Sequence, residues 1–131
     1  MAKRSRKRLL GELETLVMRV VWRDGEVTVP DVHAALSEVH KLAYTTVLTT
    51  MRNLEKKGFL ARKSAGRGHA YRARVDERTA AGSAVKDLLE RWFNGSEVQF
   101  ANALFEGERL RPEEFEKLRQ EILELRRQEE E

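Results

Sequence analysis

A chain of 131 residues without a cysteine is long enough for one medium domain, or for a small domain plus an oligomerisation segment, and it carries no thiol chemistry, disulfide or Cys-based metal site. Its net charge of +3 conceals an uneven split: residues 1–74 hold 16 Lys/Arg against 7 Asp/Glu, and residues 75–131 hold 9 against 15. The first half is suited to a polyanion such as nucleic acid, while no apolar run approaches the roughly 20 residues of a membrane span.

Residues 1–8, MAKRSRKR, read as a basic arm. The charge is that of a signal n-region, but a helix containing Glu12 and Glu14 follows in place of an apolar core, which points to a soluble cytoplasmic protein. The spacing of Leu10, Leu13, Leu16, Val17, Val20 and Val21 predicts a first helix over about 9–22, ended by the turn Asp24-Gly25. Val27-Thr28-Val29 is a short extended piece. Thr28 is placed to cap a second helix, with Pro30 in its first turn, Asp31 three residues on, and Val32, Ala35, Leu36 and Val39 facing inward.

A third helix is expected over about 43–57, closed by Gly58. Val47, Leu48, Met51 and Leu54 form its buried stripe, which leaves Thr45, Thr46, Thr49, Arg52, Asn53 and Lys56 on the free face. Threonine is a mediocre helix former, so the cluster at 45, 46, 49 and 50 carries a propensity cost that Lys, Glu or Gln would avoid. Small hydrogen-bonding side chains on an open helix face suit a DNA major groove. Residues 59–63 and 69–75 then alternate in polarity as paired strands do, with a tip at 64–68 that lifts Arg67 between two glycines. Helix followed by cationic hairpin is the pattern of a winged helix-turn-helix. The residues expected to meet DNA are Lys41, Tyr44, Thr45, Thr46, Thr49, Arg52, Asn53 and Lys56, with Arg62, Lys63, Arg67 and Arg72 on the wing. Arg52 or Asn53 can pair bidentately with guanine or adenine, or hold phosphate.

From Asp76 the pattern becomes purely helical. Val85, Leu88, Leu89, Trp92 and Phe93 make one stripe, and Asn94-Gly95 breaks the helix. Ser96 with Gln99 suggests a capping box for a second helix bearing Phe100, Leu104 and Phe105, and a third, from near Pro112, carries Phe115, Leu118 and Ile122. Three short helices have too little core of their own, which predicts pairing with the same helices of a second copy through Leu88, Leu89, Trp92, Phe93, Phe100, Leu104, Phe105, Phe115, Leu118 and Ile122; packing back onto the head is the alternative. The expected organisation is an arm (1–8), a winged-helix DNA-binding domain (9–75) and a three-helix dimerisation domain (76–131), mostly α with a small β wing. Two heads joined by a two-fold interface read an inverted-repeat operator in double-stranded DNA.

The segments LGELETLVMRVVW, VTVPDVHAALSEVHKLAYTTVLTTMRNLEKKGFL and GRGHAYRARV resemble the BlaI/MecI family of bacterial penicillinase repressors, which also includes copper-responsive repressors. The resemblance covers about residues 9–106 well and the last helix more loosely. It implies a homodimeric winged-helix repressor, released from DNA when a membrane sensor-protease that detects a β-lactam causes its dimerisation domain to be cut. The family bond is Asn-Phe, and the matching bond here is Gln99–Phe100, with the phenylalanine kept and the asparagine replaced. Copper sensing in the family uses C-terminal cysteines, which this chain lacks, and His33, His40 and His69 are too scattered for a metal motif. No cofactor and no enzymatic motif are expected: there is no phosphate-binding glycine loop, HExxH or nucleophile elbow. Two other regulators remain open on the residues alone. One senses a small molecule through a pocket of Trp92, Phe93, Phe100 and Phe105. The other is an architectural DNA-binding protein, which leaves the threonine face unexplained.

Overall fold

The computed structural model describes residues 10–107 and 109–130. The basic arm expected at 1–8, and Leu9, lie outside them. The described residues fall into two compact units divided between Val85 and Lys86.

In the first unit, α1 spans Glu12–Asp24. Its expected start at 9 moves to Glu12 because Gly11 takes the N-cap position, where Glu14 Oε1 accepts the Gly11 N–H at 2.9 Å. Gly25 (φ 86°) ends the helix, a backbone conformation that L side chains rarely adopt. Val17, Met18, Val20 and Val21 are its buried residues. Strand β1, Val27–Thr28, leads into α2, Val29–Ser37. The α2 cap is the one anticipated: Thr28 Oγ1 accepts the Asp31 N–H, Asp31 Oδ2 accepts the Thr28 N–H, and Pro30 sits in the first turn.

Val39 does not face inward. It is 81% exposed, because α2 stops at Ser37 and the N–H groups of Val39 and His40 both turn back to the Leu36 carbonyl. Once the helix tightens into a turn, the 3.6-residue period no longer decides where a side chain points.

Helix α3, Tyr44–Lys57, ends at Gly58 in the left-handed conformation (φ 88°), with the Phe59 N–H bonded to the Leu54 carbonyl. Val47, Met51 and Leu54 are fully buried, and Leu48 packs against them partly covered. Strands β2 (Leu60–Ala65) and β3 (Gly68–Ala73) form an antiparallel hairpin pairing Leu60 with Ala73 and Ala65 with Gly68. The loop is therefore two residues, Gly66-Arg67, shorter than the tip expected from sequence. Gly66 has φ 60° while Arg67 keeps a negative φ, as a type II′ turn requires. The extended piece at Val27–Thr28 is a third strand in the order β1-β3-β2, so β3 is central, which buries Tyr71 and Ala70.

One cluster joins all these elements: Val17, Met18, Val21, Val32, Val47, Met51, Leu54, Leu60 and Tyr71 are at most 1% exposed. Each such side chain contributes about 1.5–3 kcal/mol of burial. Two polar ties reinforce it. Trp22 Nε1 donates to the Val75 carbonyl at 2.9 Å, and Lys57 Nζ lies 2.7 Å from Glu14 Oε1, joining the ends of α3 and α1 in a partly buried ion pair.

Helix α4, Glu77–Phe93, is capped by Asp76, whose Oδ1 accepts the Thr79 N–H at 2.8 Å. That bond is the main cause holding the Asp76 carboxyl below its ordinary pKa. Asn94 (φ 49°) and Gly95 (φ 77°) break the chain out of α4, and the Gly95 N–H reaches the Leu89 carbonyl. Helix α5 is Glu97–Glu106 and α6 is Pro112–Glu130. Ser96 caps α5 by accepting the Gln99 N–H, while the reciprocal Gln99 side-chain bond of a full capping box is not formed among the described residues. In the second unit Phe93 meets Phe100 edge-on at 5.5 Å and Phe105 meets Phe115 at 5.4 Å, yet none of α4, α5 or α6 has a buried residue.

Candidate nucleic-acid interface

Helix α3 has two unlike faces. Val47, Met51 and Leu54 look into the core, and Thr45, Thr46, Thr49, Arg52, Asn53 and Lys56 are exposed on the other side. Thr45, Thr49, Arg52 and Lys56 follow i, i+4, i+7, i+11, and Thr46 with Asn53 flanks that row, so the six side chains share one surface. Thr50 is separate from the other threonines: it is buried, and its hydroxyl donates to the Thr46 carbonyl at 2.7 Å. Tyr44 opens the helix and is 45% exposed. The first turn holds no acidic residue and Ala43 supplies no side-chain cap, so the positive end of the helix dipole is not neutralised locally; the last turn carries Lys56 and Lys57.

The cationic side chains divide into two sets. Lys41, Arg52, Lys56, Arg67 and Arg72 are exposed and enter no ion pair among the described residues. Arg62 and Lys63 are already engaged: Arg62 Nε lies 3.6 Å from Glu55 Oε2 of α3, and Lys63 Nζ 2.8 Å from Glu26 Oε1 before β1. The strand register places them on opposite faces, Arg62 opposite Tyr71 and Lys63 opposite Ala70. They therefore do not form one cationic strip. Arg67 stands exposed in the two-residue turn of the hairpin.

Of the residues expected to pair two copies, Leu88, Trp92, Phe115, Leu118 and Ile122 are exposed, Trp92 by 71%. Leu89, Phe93, Phe100, Leu104 and Phe105 are half-buried. Gln99 is exposed and Phe100 half-buried, within the first turn of α5.

His33 carries two contacts that periodicity does not reveal. Its Nε2 lies 2.8 Å from the Leu42 carbonyl, and its ring meets Tyr44 edge-on at 5.8 Å. Among the described residues, no group of three or more His, Asp or Glu is arranged to hold a metal ion, and no helix is long and apolar enough to cross a membrane.

Three helices and a three-stranded antiparallel sheet whose hairpin follows the third helix, with an open polar face on that helix, define the winged helix-turn-helix class of transcriptional regulators. The profile of the penicillinase repressor family matches residues 10–124, and the chain belongs to that family, whose members are repressors rather than enzymes. It is 44% identical over 63 residues to the transcriptional regulator BlaI of Mycobacterium tuberculosis, a match covering 47% of this chain and 46% of that one. The chain thus spans just under half the length of this relative. It is 27% identical over 111 residues to the penicillinase repressor of Bacillus licheniformis, covering 85% and 87% of the two chains. The solution structure of Bacillus licheniformis BlaI, in monomeric form with the blaP half-operator, matches 54% of this chain and 87% of that one at 28% identity, with a TM-score of 0.48.

Proposed function

We propose that this chain is a cytoplasmic, homodimeric repressor that binds an inverted-repeat operator in double-stranded DNA. The observation that carries the reading is the open face of α3: six exposed polar side chains, none of them acidic, on a helix whose opposite face is anchored in the core. In this reading Thr45, Thr46 and Thr49 offer methyl groups and hydroxyls to base edges, while Arg52 and Asn53 supply a bidentate contact or a phosphate contact. Tyr44, Lys41, Lys56, Arg67 and Arg72 hold the backbone and set the register of the helix. Arg62 and Lys63 serve mainly to brace the wing through Glu55 and Glu26.

The second unit supplies the partner surface. Its stripes of Leu88, Trp92, Leu118 and Ile122 are uncovered in a single chain, and the same stripes from a second copy cover them most simply. Release follows the family's pattern, with cleavage at Gln99–Phe100 by a sensor-linked protease. A bond inside α5 must first unfold locally, which a ten-residue helix without a buried residue permits.

The test is selection of bound duplexes from a random pool at about 0.15 M salt, near physiological ionic strength. An inverted-repeat consensus supports the reading. Retention of all sequences alike, with no consensus, overturns it.

A further inference from the structure

We propose that His33 is a positioning residue for DNA recognition: from α2, it fixes the peptide plane on which the recognition helix starts. The inference rests on the operator-binding reading of α3 given above.

A short turn joins α2 to α3. Ala43 occupies the N-cap position of α3 in extended conformation (φ −68°, ψ 146°), and its carbonyl accepts the first helical bonds, from Thr46 at 3.1 Å and Val47 at 3.3 Å. Alanine has no side chain with which to fix its own geometry, so a usual means of locking a helix start is missing. The peptide immediately before it joins the Leu42 carbonyl to the Ala43 N–H and is planar. Whatever holds the Leu42 oxygen therefore sets the orientation from which α3 departs.

His33 Nε2 holds that oxygen at 2.8 Å. A carbonyl only accepts, so Nε2 carries the hydrogen of this bond and the ring is fixed in place. The same ring meets Tyr44, the first residue of α3, edge-on, with centroids 5.8 Å apart and planes at 78°. One side chain of α2 thus touches the recognition helix start on both sides of Ala43. At the other end of α3, the Lys57–Glu14 pair ties the helix to α1.

A groove-reading helix contacts bases through its N-terminal residues, and displacements near 1 Å are enough to spoil such contacts. Loss of the His33 bond should therefore weaken operator binding more than binding to arbitrary DNA, whose phosphate contacts tolerate a shifted helix.

Two substitutions separate the contacts. His33→Gln can keep a donor near the Nε2 position and loses the ring. His33→Phe keeps a ring against Tyr44 and loses the donor. Operator and random-sequence duplexes are titrated by fluorescence anisotropy well below each variant's thermal midpoint, so that the population measured is folded. The expected result is a loss of about tenfold in operator affinity for His33→Phe, with random-sequence affinity unchanged, and recovery to within about threefold of wild type in His33→Gln. Should His33→Phe not fold, His33→Asn, too short to reach the carbonyl, takes its place with the same expected loss. Equal operator affinity in all variants overturns the inference while leaving the operator reading intact. So does an equal loss in both His33→Phe and His33→Gln, or a change confined to the thermal midpoint. A wild-type chain that prefers no sequence overturns the operator reading itself, and the inference with it.

Discussion

The two units of the molecule are both amphipathic, yet only one has covered its apolar side chains. In the winged unit nine large side chains are almost wholly buried, from three helices and two strands. In the helices beyond it Trp92, Val98, Ile122 and Leu125 keep about half or more of their surface in water, and the ring contacts Phe93–Phe100 and Phe105–Phe115 link helix to helix without closing a core. Apolar periodicity reports which side of a helix wants cover, and says nothing about who supplies it. In the first unit the cover is intramolecular. In the second, the proposal is that it comes from another copy.

Five measurements put the contrast at risk. The largest effect is electrostatic and belongs to the first unit. A proposed dimer making about 6–10 phosphate contacts should lose about 10³–10⁵ in operator affinity between 50 and 200 mM salt; an anisotropy titration that is flat in salt would remove the cationic surface from the account. Next, Met51→Ala should destabilise the winged unit by about 2–5 kcal/mol in denaturant unfolding, because it opens a cavity under α3. Trp92→Ala, by contrast, should leave the dilute, unpaired chain almost as stable as before and weaken self-association by about tenfold or more, as read by sedimentation. If Trp92→Ala instead destabilises the dilute chain as Met51→Ala does, the two units are alike and the contrast fails.

Within the head, Thr46→Ala should reduce discrimination at one operator position by about 1 kcal/mol, with fold stability retained. An unchanged selected consensus would remove Thr46 from the reading surface. The smallest effect is at the start of α4. The Thr79 N–H, bonding to Asp76, lowers the folded pKa of that carboxyl. Its contribution to stability is therefore present above the unfolded pKa, near 4, and fades as pH falls through the lower folded value. Acidification below about pH 4 should fray α4 at its N-terminus in hydrogen exchange, and Asp76→Asn should flatten that dependence.

Much of the winged unit was legible in the sequence because its determinants are local. Thr28, Pro30 and Asp31 specify the start of α2, Gly58 the end of α3, and the spacing of Val47, Met51 and Leu54 its inner face. Three features escaped, each for a physical reason. Val39 continues an apolar pattern past the point where α2 has already turned. Strand β1 is only two residues long, so its pairing with Tyr71 and Ala70 has no sequence period to betray it. The ion pairs of Arg62 and Lys63 escaped because the carboxylates that meet them, Glu55 and Glu26, come from other elements. His33 belongs with these: its role depends on a carbonyl nine residues away, and backbone acceptors leave no trace in residue identity.

The most direct test of the division of labour between the units is titration of the selected inverted repeat against a duplex holding one half-site, at the same salt concentration. If the units divide the labour in this way, the wild-type chain binds the full repeat far more tightly than the half-site, and Trp92→Ala brings the full repeat down towards half-site affinity. Equal affinity for repeat and half-site, unchanged by Trp92→Ala, would contradict it.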